Sequence, residues 1–170
     1  MKPTKASTLI FATLGFAIFG FVAARVLVNG SLPIPVSRVN ILVSIPAIAV
    51  TLLFLALPVW RYRRALKRVQ PAAPRPKRVD PFYAVRLLLL AKASSISATA
   101  FLGWHLGVII AQLLSPVVAV GSVLQNAWGV IGSILLLAAG LVVEWICRTP
   151  DDGEASKVPT ASKRGEAAAA

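Results

Sequence analysis

Two ionisable side chains interrupt long apolar segments, and they are the residues of this sequence most able to do chemistry. Lys92 lies within LLLLAKASS, and Glu144 lies within LVVEWICR. A lysine at the centre of a membrane helix costs about 2.5 to 3.5 kcal/mol on insertion scales, so each charge needs a partner or a route to water. If Arg86 and Arg148 mark one headgroup level, Lys92 is about 9 Å deep and Glu144 about 6 Å deep.

These similar depths predict a candidate intramembrane ion pair between Lys92 and Glu144 on the third and fourth helices. Two other interpretations stay open at this point. Both side chains can extend separately to the interface, or both can belong to a site for a transported ion or proton.

Small and hydroxylated residues follow Lys92 along the third helix. They recur at four-residue spacing, as in Ser94 with Ala98 and Ser95 with Thr99. This spacing is typical of a helix face that packs closely against a neighbour and can form interhelical hydrogen bonds. A polar transport lining has a similar composition, but packing is the commoner cause, so we predict a bundle-facing surface.

The remaining candidate residues give little support for catalysis or for a cofactor. His105 is isolated beside Trp104 and has no nearby cysteine or external acid, which favours an interfacial histidine over a metal ligand. Cys147 is the single cysteine and excludes an intramolecular disulfide. We find no nucleophile with its base, paired carboxylates or phosphate-binding glycine loop, so the sequence indicates a non-enzymatic protein without a metal or other cofactor.

The composition indicates a membrane protein. Of the 170 residues, 57% are hydrophobic and only 14% are charged. The mean hydropathy of +0.77 is far from that of a soluble domain. Four apolar segments, at about residues 7–28, 41–60, 84–113 and 123–147, are long enough to cross a bilayer. We therefore predict an all-α integral membrane protein with a compact four-helix bundle over residues 1–150.

Basic residues are concentrated in one loop. The net charge is +12, and eight of the 18 Lys and Arg residues fall within the loop at 61–80. In a soluble protein this charge would suggest nucleic-acid binding, but a short basic loop between two spans marks the cytoplasmic side of a membrane instead. We expect the loop to contact anionic lipid headgroups or an acidic membrane-protein partner, and no nucleic acid. The candidate contact residues are Arg61, Arg63, Arg64, Lys67, Arg68, Arg75, Lys77 and Arg78.

The charge map also orients both chain ends. Lys2 and Lys5 precede the first span and favour a cytoplasmic N-terminus. The tail at 151–170 mixes both charge signs and is predicted to be a disordered cytoplasmic extension. A cleaved signal peptide is an open alternative for the first span, because Val22-Ala23-Ala24 resembles a cleavage site. Within that span, Gly20 and Ala24 are spaced to admit a neighbouring helix.

Local signals predict the ends and the irregular points of the helices. Asp80 followed by Pro81 is typical of an N-cap and first helical residue, so the third helix is expected to begin there. The first part of the basic loop can prolong the second helix. Gly103 and Gly107 are the places where the long third helix can bend, unless it projects beyond the membrane. Gln125 and Asn126 are predicted caps of the fourth helix.

The four spans, the basic loop at 61–80 and the string DPFYAVRLLLLAKASS together resemble an actinobacterial family of small four-span membrane proteins known as a domain of unknown function, DUF3180. The resemblance covers about residues 1 to 150 and implies a multi-pass protein of the plasma membrane with no established activity. It implies no catalytic or binding residues. The matching strings are Pro3-Thr4, Tyr62-Arg63-Arg64-Ala65, Asp80-Pro81, Arg86, Leu90-Ala91-Lys92-Ala93-Ser94, and Glu144 with Cys147 and Arg148.

The sequence thus favours a structural or interaction protein whose polybasic loop contacts lipid or an acidic partner. The alternative is a small transporter or transporter subunit with Lys92 and Glu144 in an ion or proton relay.

Overall fold

Four α-helices form a bundle in the computed structural model, which describes residues 5–30, 32–33, 35, 39–66, 80–116 and 119–148. Each helix is long and apolar enough to cross a membrane. The predicted spans at 7–28, 41–60, 84–113 and 123–147 all lie inside these helices. The tail at 151–170 and most of the loop at 61–80 lie outside the described residues. The helices are α1 (Ala6–Asn29), α2 (Val39–Leu66), α3 (Pro81–Leu113) and α4 (Val120–Cys147).

The start of α3 follows from its first residues. The side chain of Asp80 accepts a hydrogen bond from the Phe82 backbone N–H at 2.9 Å, and Pro81 occupies the first turn. Proline suits this position because the first-turn N–H groups have no intrahelical acceptor. The predicted N-cap is therefore confirmed. From there α3 continues for 33 residues as one helix through Gly103 and Gly107.

The second helix continues past the predicted span, as its basic extension had suggested. It contains both Pro46 and Pro58 and ends at Leu66. A proline removes one backbone donor and crowds the preceding turn, so nearby carbonyls need other partners. The hydroxyl of Tyr83 on α3 donates to the Leu55 carbonyl at 2.7 Å, three residues before Pro58. The carbonyl that Pro58 deprives of its helical donor is that of Phe54, one residue earlier. The Tyr83 bond therefore lies beside the proline turn and joins α2 to the beginning of α3.

The helices alternate in direction. Gly103 and Gly107 of α3 approach α1 in increasing order of residue number, so these two helices run parallel. Gly129 and Gly140 of α4 approach α3 in the reverse order, so that pair is antiparallel. Among the described helices, α1 packs against α3 alone, and α4 packs against both α3 and α2. The start of α1, the end of α2, the start of α3 and the end of α4 consequently share one end of the bundle.

The main core lies where α2, α3 and α4 meet. Buried residues on α2 and α4 recur at alternating steps of three and four, the spacing of helices that cross at a shallow angle. A smaller apolar cluster of Ala24, Val108 and Ala111 joins α1 to α3. The α2 residues of the main core are Ile45, Ala49, Leu52, Ala56 and Val59, and those of α4 include Leu136, Ala139, Val143 and Ile146.

The outer surface of the bundle is largely apolar, whereas several polar side chains are buried inside it. Phe11 and Phe54 are exposed on α1 and α2, and Trp128 and Trp145 are exposed near the two ends of α4. Trp145 follows Trp128 by 17 positions, about 25 Å along a helix. Such an arrangement suits a surface in contact with hydrocarbon, with aromatic rings near both interfaces.

Candidate functional site

The face of α3 toward α1, here called the glycine seam, brings the two backbones into direct contact. A Cβ built on Gly103 would meet the Thr13 carbonyl oxygen, and one on Gly107 would meet the carbonyl oxygen of Ala17. A Cβ on Gly20 of α1 would lie 2.7 Å from the Trp104 carbonyl oxygen. These contacts leave no room for a side chain. The predicted close approach at Gly20 is confirmed, and Gly103 and Gly107 serve the same purpose on α3.

The opposite face of α3 packs against α4 and contains most of the buried polar groups of the described chain. We call this interface the polar seam. The face with four-residue spacing after Lys92 belongs to it, which confirms the predicted bundle-facing surface. Gly140 lets α4 approach closely, since a Cβ there would be 3.0 Å from the Ala91 carbonyl oxygen. The buried polar residues are Ser94, Ser95, Thr99, His105 and Gln112 on α3, and Asn126, Ser133 and Glu144 on α4.

Hydroxyl groups in the polar seam bond to their own helices. Ser95 Oγ donates to the Ala91 carbonyl at 2.9 Å, and Ser133 Oγ donates to Gly129 at 2.8 Å. Thr99 Oγ1 donates to Ile96 at 2.7 Å. Such bonds to the preceding turn satisfy the hydroxyl donor without an external partner. The hydroxyls therefore permit close packing, and their donors are already used.

His105 is buried at 1% exposure, so the expectation of an interfacial histidine was wrong. Its ring occupies the space that a side chain at Gly129 would fill. His105 Nδ1 lies 2.8 Å from the Phe101 carbonyl oxygen. Because a carbonyl can only accept, this hydrogen bond requires the proton on Nδ1. The sequence signal that could have found this packing is the glycine on α4, but nothing in the sequence pairs it with His105.

The predicted caps of α4 were also wrong. The helix begins at Val120 with Ala119 as N-cap residue, and no side chain caps it. Asn126 is fully buried within the helix, where Nδ2 donates to the Ser122 carbonyl at 3.2 Å. The fourth span is predicted to begin at about residue 123, and α4 begins about one turn earlier.

Lys92 and Glu144 lie on the two helices of the polar seam. Lys92 is half-buried on α3, directly after the core residue Ala91. Glu144 is 8% exposed on α4, beside the core residue Val143. The two helices of the interface thus carry the two predicted residues, and their direct ion pair stays a prediction.

Gln112 is a polar seam residue that the sequence analysis did not identify. It is 2% exposed, and within the described part of the chain neither its Nε2 nor its Oε1 atom has a hydrogen-bond partner. A buried amide in this condition is rare enough in folded proteins to need an explanation.

Of the candidate lipid-contact residues, the structure describes three, and all three lie at the end of α2. Arg61 and Arg64 are exposed, and the Arg64 guanidinium lies over the Trp60 ring, 5.2 Å from its centroid. Arg63 is half-buried and turned toward α4. The rest of the set, Lys67, Arg68, Arg75, Lys77 and Arg78, lies outside the described residues.

Arg63 caps the C-terminal end of α4. Its guanidinium donates to the carbonyls of Trp145 at 3.0 Å, Ile146 at 2.6 Å and Arg148 at 2.6 Å. The last carbonyls of a helix lack intrahelical donors and carry partial negative charge, so a cation there is favourable. Arg63 therefore fixes the end of α2 to the end of α4, a role unlike that of its exposed neighbours.

Arg25 forms a similar but weaker contact at the other end of the bundle. Its Nη2 atom lies 3.5 Å from the carbonyl oxygen of Leu114, just after α3, and its guanidinium lies 5.5 Å from the Phe21 ring centroid. The two arginines thus each join the end of one helix to a parallel neighbour.

The described side chains offer packing, two helix caps and an exposed basic edge. No three of the His, Cys, Asp and Glu residues in the described segments come close enough together to hold a metal ion. Cys147 is buried at the end of α4.

A family model described as "Protein of unknown function (DUF3180)" matches residues 9–151. The chain belongs to this family. The DUF3180 match includes the glycine seam, the polar seam and both arginine caps, and it leaves out most of the C-terminal tail. No curated protein matches the chain. No solved structure matches it either.

Proposed function

We propose that this DUF3180 protein is a non-enzymatic, multi-pass protein of the plasma membrane that holds anionic lipid headgroups, or an acidic partner, at a basic surface on one end of its bundle. One observation carries this proposal. Arg61 and Arg64 are exposed beside Trp60 at the end of a continuous helix, where they can reach headgroups.

Charge asymmetry supports a cytoplasmic location for this end. The start of α1, the end of α2, the start of α3 and the end of α4 share it, and the sequence that leads from the end of α2 toward α3 contains eight Lys and Arg residues between Arg61 and Arg78. At the opposite end, the connections at 30–38 and 114–119 contain Arg38 and no other Lys or Arg. Because Lys and Arg are retained on the cytoplasmic side, we place both chain ends inside.

Aromatic residues support a headgroup level close to the exposed arginines. Trp145 is exposed on α4, and its carbonyl accepts a hydrogen bond from Arg63 of α2. Trp60 therefore has a second exposed tryptophan at a similar level on the neighbouring helix. Tryptophan favours the membrane interface, and a basic residue near an anionic surface contributes about 1 kcal/mol.

The transport alternative has weaker support. It needs polar groups that are free to bind a solute or proton, whereas the hydroxyls of Ser95, Thr99 and Ser133 donate to their own helices. Packing between small residues accounts for this part of the polar seam.

Native mass spectrometry of protein released from membranes that contain phosphatidylglycerol tests the lipid contact. We expect the double variant Arg61→Gln/Arg64→Gln to retain roughly fivefold less of this lipid, because two residues at about 1 kcal/mol each give at most about 30-fold and salt screening weakens this effect. The control Lys163→Gln/Arg164→Gln removes the same charge from the tail and should retain the lipid. Equal losses in both variants would contradict a localised surface. Arg63 stays unchanged in this test because it caps α4.

A labelling experiment tests the orientation separately. In a Cys147→Ser background, a membrane-impermeant maleimide should label Ser31→Cys in intact cells and should label Ser156→Cys only after lysis. The reverse pattern would overturn the orientation without affecting the lipid measurement.

A further inference from the structure

The buried amide of Gln112 has an unusual environment. It is 2% exposed, and its donor and acceptor atoms both lack a partner within the described residues. An amide that leaves water without new hydrogen bonds is unfavourable, and buried water molecules in native proteins typically bond to polar groups that have no other partner.

Helix geometry places Gln112 opposite the first turns of α4. It follows His105 by seven residues, two helical turns, and therefore lies on the same face of α3. Ser122 precedes Gly129 by seven residues and lies on the same face of α4. His105 packs against Gly129, and the two helices are antiparallel, so Gln112 and Ser122 lie at about the same level.

Polar groups of α4 are present at this level. Asn126 is fully buried one turn beyond Ser122, and its amide donates to the Ser122 carbonyl at 3.2 Å. Ala119 offers no side-chain acceptor to the N–H groups of the first turn. The end of the polar seam therefore has both donors and acceptors on α4 as well as on α3.

The charge pattern argues for a neutral occupant. The sequence contains no Asp or Glu between Asp80 and Glu144, so no carboxylate from this stretch can bind a cation here. A water molecule can accept from Nε2 and donate to Oε1, and it can also bridge to a second helix.

We propose that Gln112 is the centre of a buried hydration site, in which ordered water bridges the end of α3 to the first two turns of α4. The water satisfies the amide and ties the two helices together at the end of the bundle opposite Arg63. This site does not depend on the lipid-binding proposal.

Water-edited solid-state NMR of the full chain in vesicles tests the site directly. The sequence has three glutamines, at positions 70, 112 and 125, so selective ¹⁵N labelling of glutamine side chains gives few signals. The variant Gln112→Leu assigns the signal of interest by its disappearance. We expect rapid magnetisation transfer from water to Gln112 Nε2, and no broadening by a soluble gadolinium chelate. Absence of transfer would overturn the proposal, and so would broadening by the chelate, since the amide would then contact bulk water.

Thermal unfolding of Gln112→Leu provides a second test of the hydration site. The control is Leu113→Ala, on the exposed side of the same turn. If water bridges the helices, the leucine variant loses that bridge, and we expect its Tm to fall by about 2 to 4 °C. A raised Tm would contradict the site, because replacement of a truly unpaired amide by an apolar side chain is stabilising.

Discussion

The two faces of α3 each pack closely against a neighbouring helix, but the groups in contact differ chemically. Toward α1, the glycine seam sets Gly103 and Gly107 against backbone atoms of α1. Toward α4, the polar seam sets the His105 ring against Gly129 and hydroxylated residues against the neighbouring backbone. Both faces depend on small residues, but they differ in which atoms would have to move if a residue became larger.

This difference determines how each interface tolerates change. A backbone oxygen in a helix cannot move without disturbing its hydrogen bonds. An added side chain in the glycine seam therefore cannot be accommodated without a large loss of stability. A neighbouring ring in the polar seam can be removed by mutation. We therefore expect a defect at Gly129 in the polar seam to be rescued by a second substitution, and defects in the glycine seam to resist rescue.

The largest effect is expected for Gly107→Val. Its Cβ would meet the Ala17 carbonyl oxygen and would lie 2.7 Å from the Phe21 backbone nitrogen. Overpacking against backbone should lower the free energy of unfolding by roughly 3 kcal/mol. Denaturant titration in detergent measures this change. The matched control is Gly15→Val on α1, where an added Cβ has no neighbour within 4 Å. Similar losses in the two variants would show that helix propensity, and not the glycine seam, sets the cost.

A smaller but rescuable effect is expected for Gly129→Ala. Its Cβ would overlap the His105 imidazole, so the ring must move, at a cost of roughly 2 to 3 kcal/mol. In the double variant His105→Ala/Gly129→Ala, the new methyl occupies space that the ring has left. We expect the double variant to be more stable than the sum of the single effects by more than about 1 kcal/mol. Strict additivity would mean that the two residues do not share this space.

The sequence alone predicted the helices and part of the packing surfaces of α3. Long apolar segments fix four helices because only a helix satisfies its own backbone in lipid, and Asp80-Pro81 fixes the start of α3 through local bonds. The four-residue spacing of small residues predicted a bundle-facing side of α3, which the structure places against α4, and a close approach at Gly20. These features are local, so they can be read without knowing which helices are neighbours.

The parts that could not be predicted depend on tertiary neighbours. His105 resembles an interfacial histidine because the glycine that accommodates its ring is 24 residues away on α4. Arg63 resembles the other basic residues of its loop, and its capping role follows only from the parallel packing of α2 on α4. Gln112 carries no sequence signal, because its unusual environment is created by burial.

A charge swap sharpens the comparison by asking whether the polar seam contains an ion pair. Lys92→Glu and Glu144→Lys should each lower the free energy of unfolding by about 1 to 2 kcal/mol if the side chains touch, since each leaves two like charges together. The double variant should then recover about half or more of the summed loss. Denaturant titration of all four proteins measures the coupling. No recovery would argue that the two side chains reach the interface separately.

The smallest effect is expected for Ser95→Ala, and its size distinguishes packing from a crosslinked network. Ser95 Oγ donates to the Ala91 carbonyl, which lies on its own helix. The substitution removes both the donor and the acceptor of the Ser95 hydroxyl, and the Ala91 carbonyl keeps its backbone N–H partner in the helix. No buried group is left unpaired, so the loss in the free energy of unfolding should be about 0.5 kcal/mol. Ser97→Ala, on an exposed position of the same helix, should be near zero. A loss above about 1.5 kcal/mol for Ser95→Ala would mean that its oxygen also bonds across to α4. The polar seam would then be held by interhelical hydrogen bonds, and its contrast with the glycine seam would be one of bonding as well as of sterics.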